Sequence, residues 1–189
     1  DISLYIGGTI QFSKILPAAG DYITENIAQA FEIPKSDAED LKKKYGCAFS
    51  DIAGEDMLKI NVAGINQSIS RKVLARQIED SVSRILRKCV SCLEDNNLLE
   101  NIPAGFVLTG GTANMEGMKQ LGEEVTKNKI KIGLPEYNLP INAEKLLKPE
   151  FSGLLGLVKF YAIEQDKEFT FNQSKGIIAR VLEWIRTEL

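Results

Sequence analysis

A chain of 189 residues is long enough for one ordinary domain or two small ones, and its 44% hydrophobic and 26% charged content suits a packed core. With 23 basic residues against 26 acidic ones the net charge is −3, so nucleic acid is not an expected partner and any basic surface has to be local. Histidine is absent, which removes the commonest general base and metal ligand at once.

The first elements read as a hairpin. Ile2, Leu4 and Ile6 alternate, Gly7-Gly8 turns the chain, and Ile10, Phe12, Ile15 and Leu16 return it. Pro17-Ala-Ala-Gly20 leads to Asp21, the expected cap of a helix with Ile23, Ile27, Ala30 and Phe31 on one side, and Pro34 stops it. Ser36 and Glu39 have the spacing of a capping box for the next helix, and Glu39–Lys43 and Asp40–Lys44 are favourable i,i+4 pairs before Gly46 ends it. Phe49 to Ile65 predicts two short strands around Ala53-Gly54-Glu55-Asp56, with Leu58, Ile60 and Val62 alternating.

A long helix is expected from about Ser68 to Leu93, with Ile69, Val73, Ile78, Val82, Ile85 and Leu86 near helical spacing. Arg71, Lys72, Arg76, Arg84, Arg87 and Lys88 on it face only Glu79 and Asp80, a bias compatible with a solvated face or with a docking surface. Gly105 to Thr109 reads as a buried strand running into Gly110-Gly111-Thr112, then a helix from about Met115 to Val125 and a strand at Ile130–Ile132. Phe151 to Ala162 predicts an apolar helix whose Gly153 and Gly156 suggest close packing on a sheet. Strands followed by helices, twice, imply an α/β layered domain, with 35–99 as an inserted subdomain. After a polar linker at 164–174, Lys175 to Leu189 predicts an amphipathic helix. Ile177, Ile178, Val181, Leu182, Trp184, Ile185 and Leu189 share a face roughly 160° wide.

Cys89-Val-Ser-Cys92 has the spacing of a zinc or redox pair. A structural zinc site needs about four ligands, and only Cys47 is left to add, so reduced structural cysteines are expected. No stretch approaches the roughly 20 apolar residues of a membrane span. The chain opens on a strand without an initiator Met and reads as a fragment. Thr109-Gly110-Gly111-Thr112, between a strand and a helix, lets backbone approach a ligand closely, and the following helix start offers it amide donors. Glycine turns after strands are common, so alone the pattern is a weak nucleotide signal.

Taken together, several segments are more specific. Pro17-Ala-Ala-Gly20-Asp21-Tyr22-Ile23-Thr24, with Ile27-Ala28 beyond, resembles a segment of the bacterial FtsA cell-division family that reads Pro-x-Gly-Gly, polar, x-x-Thr, then a helix. Ala38 to Gly46, ending in Lys44-Tyr45-Gly46, resembles that family's next helix. Val107-Leu108-Thr109-Gly110-Gly111-Thr112-Ala113-Asn114-Met115-Glu116-Gly117 is similar to the adenosine-binding motif of the actin and Hsp70-like superfamily, and Lys131-Ile132-Gly133-Leu134-Pro135 matches the strand after it. The resemblance covers essentially the whole chain. In two places the chain departs from the pattern: Ala19 stands for the first glycine of the usual pair and Thr112 for a commoner third glycine.

The resemblance implies an actin-like (ribonuclease H-like) α/β fold: subdomain 2A at 1–34 and 100–163, an inserted α+β subdomain 2B at 35–99, a flexible linker, and a membrane-targeting helix at 175–189. It implies ATP, with Mg, held between two domains of which this chain supplies one wall: Gly20 near the phosphates, Gly110, Gly111 and Thr112 around ribose and base, and Arg76 and Glu79 bordering the adenine. For the last two the alternative is an ordinary intrahelical charge pair. It further implies self-association into filaments and docking of the FtsZ C-terminal tail on 2B, with Arg84, Arg87 and Lys88 as the candidate surface. The seven apolar residues of the last helix would enter the lipid interface at the cytoplasmic face of the membrane, at the division site; the alternative is a helix packed on its own domain. The leading function is an adaptor. A slow ATPase, inactive without the missing domain, or an actin-like pilus-assembly protein are the other readings.

Overall fold

The computed structural model describes residues 1–62, 65–136 and 144–165. The chain divides into two compact units, Asp1–Ile132 and Gly133–Leu189. The first opens with the expected antiparallel hairpin of β1 (Ile2–Ile6) and β2 (Thr9–Lys14). Gly7 and Gly8 turn it at φ 59° and 79°, a left-handed conformation that costs glycine little. Leu4 is buried, whereas Tyr5, Ile6 and Ile10 stay exposed.

Helix α1 (Gly20–Phe31) starts one residue ahead of the expected cap. Ala19 holds the cap position and supplies no side-chain bond, while Asp21 lies inside the first turn. Glu32 closes α1 in the left-handed region, and Pro34 caps α2 (Lys35–Tyr45), where its missing N–H is no loss. The Ser36–Glu39 capping box does not form. Ser36 Oγ lies 3.5 Å from Asp37, and the Glu39 carboxylate turns across to α1 instead.

The 49–65 stretch forms a single helical turn at Ser50–Ile52 and then β3 (Met57–Val62). Its partner β4 (Ile65–Ser70) extends five residues past the expected end. Strand alternation persists there: Ile69 is buried opposite Leu58, and Ser68 pairs with Lys59. Helix α3 (Arg71–Glu94) therefore begins three residues later than its apolar spacing suggested. Leu74, Ile78, Val82 and Leu86 form its buried stripe, and Val73 faces outward at 50% exposure. They join Ile23 and Ile27 of α1, Ala38 and Leu41 of α2, and Leu58 and Ile69 of the β3–β4 ribbon in one core.

β5 (Phe106–Leu108) pairs in parallel with β6 (Ile130–Ile132), joined by α4 (Met118–Thr126), whose Met118 and Leu121 complete that core. Helix α4 begins three residues late because Gly117, at φ 76°, breaks the chain ahead of it. A Cβ there would lie 2.7 Å from Phe49 Cβ, so both space and conformation require glycine. In the second unit α5 (Ser152–Gln165) runs two residues into the segment read as linker. A Cβ built at its Gly153 or Gly156 meets nothing within 4 Å among the described residues. Residues 166–174 of the linker and the terminal helix, with Ile177, Ile178, Val181, Leu182, Trp184, Ile185 and Leu189, lie outside the described residues.

Candidate functional site

Gly20, the first residue of α1, stands beside Thr112, far away in sequence. A Cβ built on Gly20 would lie 3.2 Å from Thr112 Oγ1 and 3.5 Å from Lys42 Nζ, so any side chain there would press on Thr112. Thr112 belongs to a tight turn, Gly111–Asn114, entered through Gly110 at φ 90°. Nothing lies within 4 Å of a Cβ at Gly110, so backbone conformation alone selects glycine there. The Ala113 and Met115 amides close the turn onto Gly110 O and Thr112 O at 3.1 Å each.

Lys42 of α2 reaches into this corner with its ammonium group well covered, its side chain 10% exposed against 70% for Lys43. It donates to Gly20 O at 3.1 Å and Thr24 Oγ1 at 2.7 Å, and pairs with Glu39 Oε2 at 2.6 Å, one acceptor for each N–H. The Thr24 hydroxyl donates to Glu39 Oε2 at 2.5 Å. Partial burial pushes the Glu39 carboxyl up, but bonds from Lys42 and Thr24 and the Lys42 charge outweigh it and hold the group at about 2. A helix N-terminus without a side-chain cap thus meets the Gly110–Thr112 turn at Gly20, while Lys42, matched by Glu39 and with an acceptor for each N–H, fastens the backbone of that helix start. The Asp21 carboxylate is exposed and lies 3.8 Å from Lys35.

The other expected site residues have different neighbours. Glu79 accepts the Ser50 backbone N–H at 2.6 Å, which fastens the turn at Ser50–Ile52 to α3. Arg76 is exposed and, after Lys72, helps lower the pKa of Glu55. Arg84, Arg87 and Lys88 are all exposed on α3. Asn26 and Arg84 engage the Tyr22 hydroxyl in the first turn of α1 and lower its pKa, and Lys88 adds a smaller pull. Cys47 and Cys92 are buried free thiols, and burial raises the pKa of Cys47 and of Cys89. Among the described residues no three His, Cys, Asp or Glu side chains cluster as metal ligands do.

The model of the FtsA family, described as cell division protein FtsA, matches residues 1–156. The chain belongs to the FtsA family. Among its curated FtsA relatives, the Escherichia coli K12 protein is 31% identical over 197 residues, with 98% of this chain and 46% of that protein covered. The Pseudomonas aeruginosa protein is 32% identical over 199 residues (98% and 48%), and the Bacillus subtilis protein 30% identical over 162 residues (84% and 35%). This FtsA-family chain thus spans about half the length of the curated relatives it matches. Among solved structures, MreB 5 of Spiroplasma citri bound to AMPPNP superposes with a TM-score of 0.61 at 20% identity, covering 82% of this chain and 47% of that one. Its ADP-bound form gives 0.58 at 19% identity, with 84% and 50% covered. The fold is actin-like.

The resemblance put Gly20 near the phosphates and Thr112 at the ribose and base; the structure sets the two side by side. Lys42, Thr24 and Glu39, which the sequence reading did not assign to a site, lie next to Gly20. A signal for Lys42 existed: it stands one helical turn after buried Ala38 and next to buried Leu41, on the face that α2 turns inward.

Proposed function

We propose that this chain forms one wall of the ATP site of an actin-like cell-division adaptor, one that holds FtsZ filaments at the cytoplasmic face of the membrane. The observation that carries the nucleotide part is the meeting of Gly20, Thr112 and Lys42 within 3.5 Å of one point. On the family resemblance Gly20 lies near the phosphates and their Mg, and Lys42, by its bond to Gly20 O, holds that helix start in place. Gly110, Gly111 and Thr112 fit the ribose and base, where glycine backbone permits close approach. Arg76 and Glu79 remain assigned to the adenine side on the family resemblance, and Glu79 has in addition its bond to Ser50. The nucleotide ligands of the Spiroplasma proteins support the reading.

In the same proposal 1–34 and 100–163 are subdomain 2A and 35–99 is subdomain 2B. The exposed Arg84, Arg87 and Lys88 offer a basic face to the acidic FtsZ tail. Self-association into filaments follows the actin-like fold. Among the described residues no helix is long and apolar enough to cross a membrane, which fits attachment through the amphipathic segment 175–189. The adaptor role is tested by sedimenting anionic phospholipid vesicles with full-length protein and a fluorescent FtsZ tail peptide. The peptide is expected in the pellet with the intact protein and in the supernatant when the protein ends at Ser174. Peptide pelleting equally in both cases, or in neither, contradicts the adaptor.

A further inference from the structure

The segment that follows Thr112 does more than enter α4. Residues 115–117 are fastened, one after another, to the loop between α2 and the turn at Ser50. A Cβ at Gly46 would stand 3.3 Å from Met115 Cε, Glu116 O accepts the Ala48 N–H at 2.7 Å, and Gly117 lies directly against Phe49. Glu116 also forms a parallel bridge with Cys47. Its side chain goes the other way, to α3, where Glu116 Oε2 lies 2.6 Å from Arg71 Nη2. Arg71 is the first residue of α3. Its Nε donates to Tyr45 O at 3.4 Å, and its backbone N–H to Asp56 O at 2.9 Å. One guanidinium therefore joins the end of α2, the start of α3 and the stretch just past Thr112.

We infer that Arg71 and Glu116 are positioning residues for the nucleotide wall, setting the Gly110–Thr112 turn against Gly20 and Lys42. The inference rests on the nucleotide reading above. Three residues of chain separate Thr112 from Glu116, and the turn bonds Ala113 to Gly110 and Met115 to Thr112 leave that chain little slack. Lys42 rides on α2, whose last residue is Tyr45 and whose end Arg71 also holds. Releasing Glu116 loosens the stretch just past Thr112 on one side, and releasing Arg71 loosens the end of the helix that carries Lys42 on the other. Neither residue touches the ligand in this scheme; both fix the spacing of groups that do. Arg71 and Glu116 are partly exposed, so the pair is worth little as bulk stability and its effect should appear in ligand affinity.

The test is a double-mutant cycle on the full-length protein, read by fluorescent ATP (a methylanthraniloyl analogue) and, in parallel, by thermal unfolding. Arg71→Ala and Glu116→Ala are each expected to weaken the analogue about two- to fivefold, the range of an ion pair at a partly exposed site. The double variant should lose no more than the weaker-binding single, because the two act as one device. Arg71→Lys, which keeps the charge, should recover part of the loss. If an alanine variant does not fold, Arg71→Lys and Glu116→Gln carry the same cycle. Lowered melting temperatures with unchanged analogue affinity, or strictly additive losses, overturn the positioning role and leave the nucleotide site standing. Wild-type protein that does not bind the analogue overturns the nucleotide reading and this inference with it.

Discussion

Glu39 sits where two opposing effects can be weighed. Partial burial disfavours its charge, but Lys42, Thr24 and Lys43 surround it closely enough to hold its pKa at about 2 against an unfolded value of 4.5. A depressed carboxylate stabilises the fold above its unfolded pKa, and the gain is lost as pH falls through the folded value. Glu39→Gln is therefore expected to cost about 2 kcal/mol at pH 7, and the gap from wild type should close between about pH 4.5 and pH 2. Urea unfolding of the full-length pair at stepped pH measures it; a gap that persists unchanged at pH 2 means the loss is packing and not charge. The same residue shows where sequence reasoning stops. Glu39 and Ser36 have capping-box spacing, yet a buried threonine and a covered lysine compete for the carboxylate and win, and those partners come from tertiary packing. Likewise Lys42, Lys43 and Lys44 are consecutive cations, and only the burial of Ala38 and Leu41 decides that Lys42 is the one turned inward.

At the scale of elements, α3 ties the first unit together and carries the proposed partner surface. Its inner stripe of Leu74, Ile78, Val82 and Leu86 is core, while Arg87 and Lys88 remain exposed outside it. Arg84 has an internal neighbour in Tyr22, so reversing it would disturb α1 as well as any partner. Arg87→Glu with Lys88→Glu is the cleaner variant. It is expected to weaken an acidic FtsZ tail peptide about tenfold at low salt and to flatten the salt dependence, since attraction between exposed charges is screened. Fluorescence polarisation with the full-length protein reads both, and unchanged affinity returns that face of α3 to solvent. The hairpin was legible because alternation and Gly7-Gly8 agree. The starts of α3 and α4 were not, because Ser68–Ser70 continue a strand pattern and a single left-handed glycine, Gly117, delays α4.

For the whole molecule, the motifs at 17–24 and 107–117 point to one family, and the match over residues 1–156 shows it. The convergence of those two motifs at Gly20 and Thr112 is a property of the fold that neither segment carries alone. The central claim is that this meeting place belongs to the ATP wall, with Gly20 near the phosphates and Thr112 at the ribose and base, and isothermal titration of ATP into the full-length protein tests it through Gly20→Ala. Gly20 is the first helical residue and its backbone needs no special conformation, but a methyl group there stands 3.2 Å from Thr112 Oγ1 and requires that side chain to shift by a few tenths of an ångström. The same methyl group lies beside Lys42. Wild-type protein is predicted to bind one ATP, and Gly20→Ala, checked by its melting curve to be folded, to bind it at least about tenfold more weakly. Equal ATP affinity in the two proteins would contradict the account.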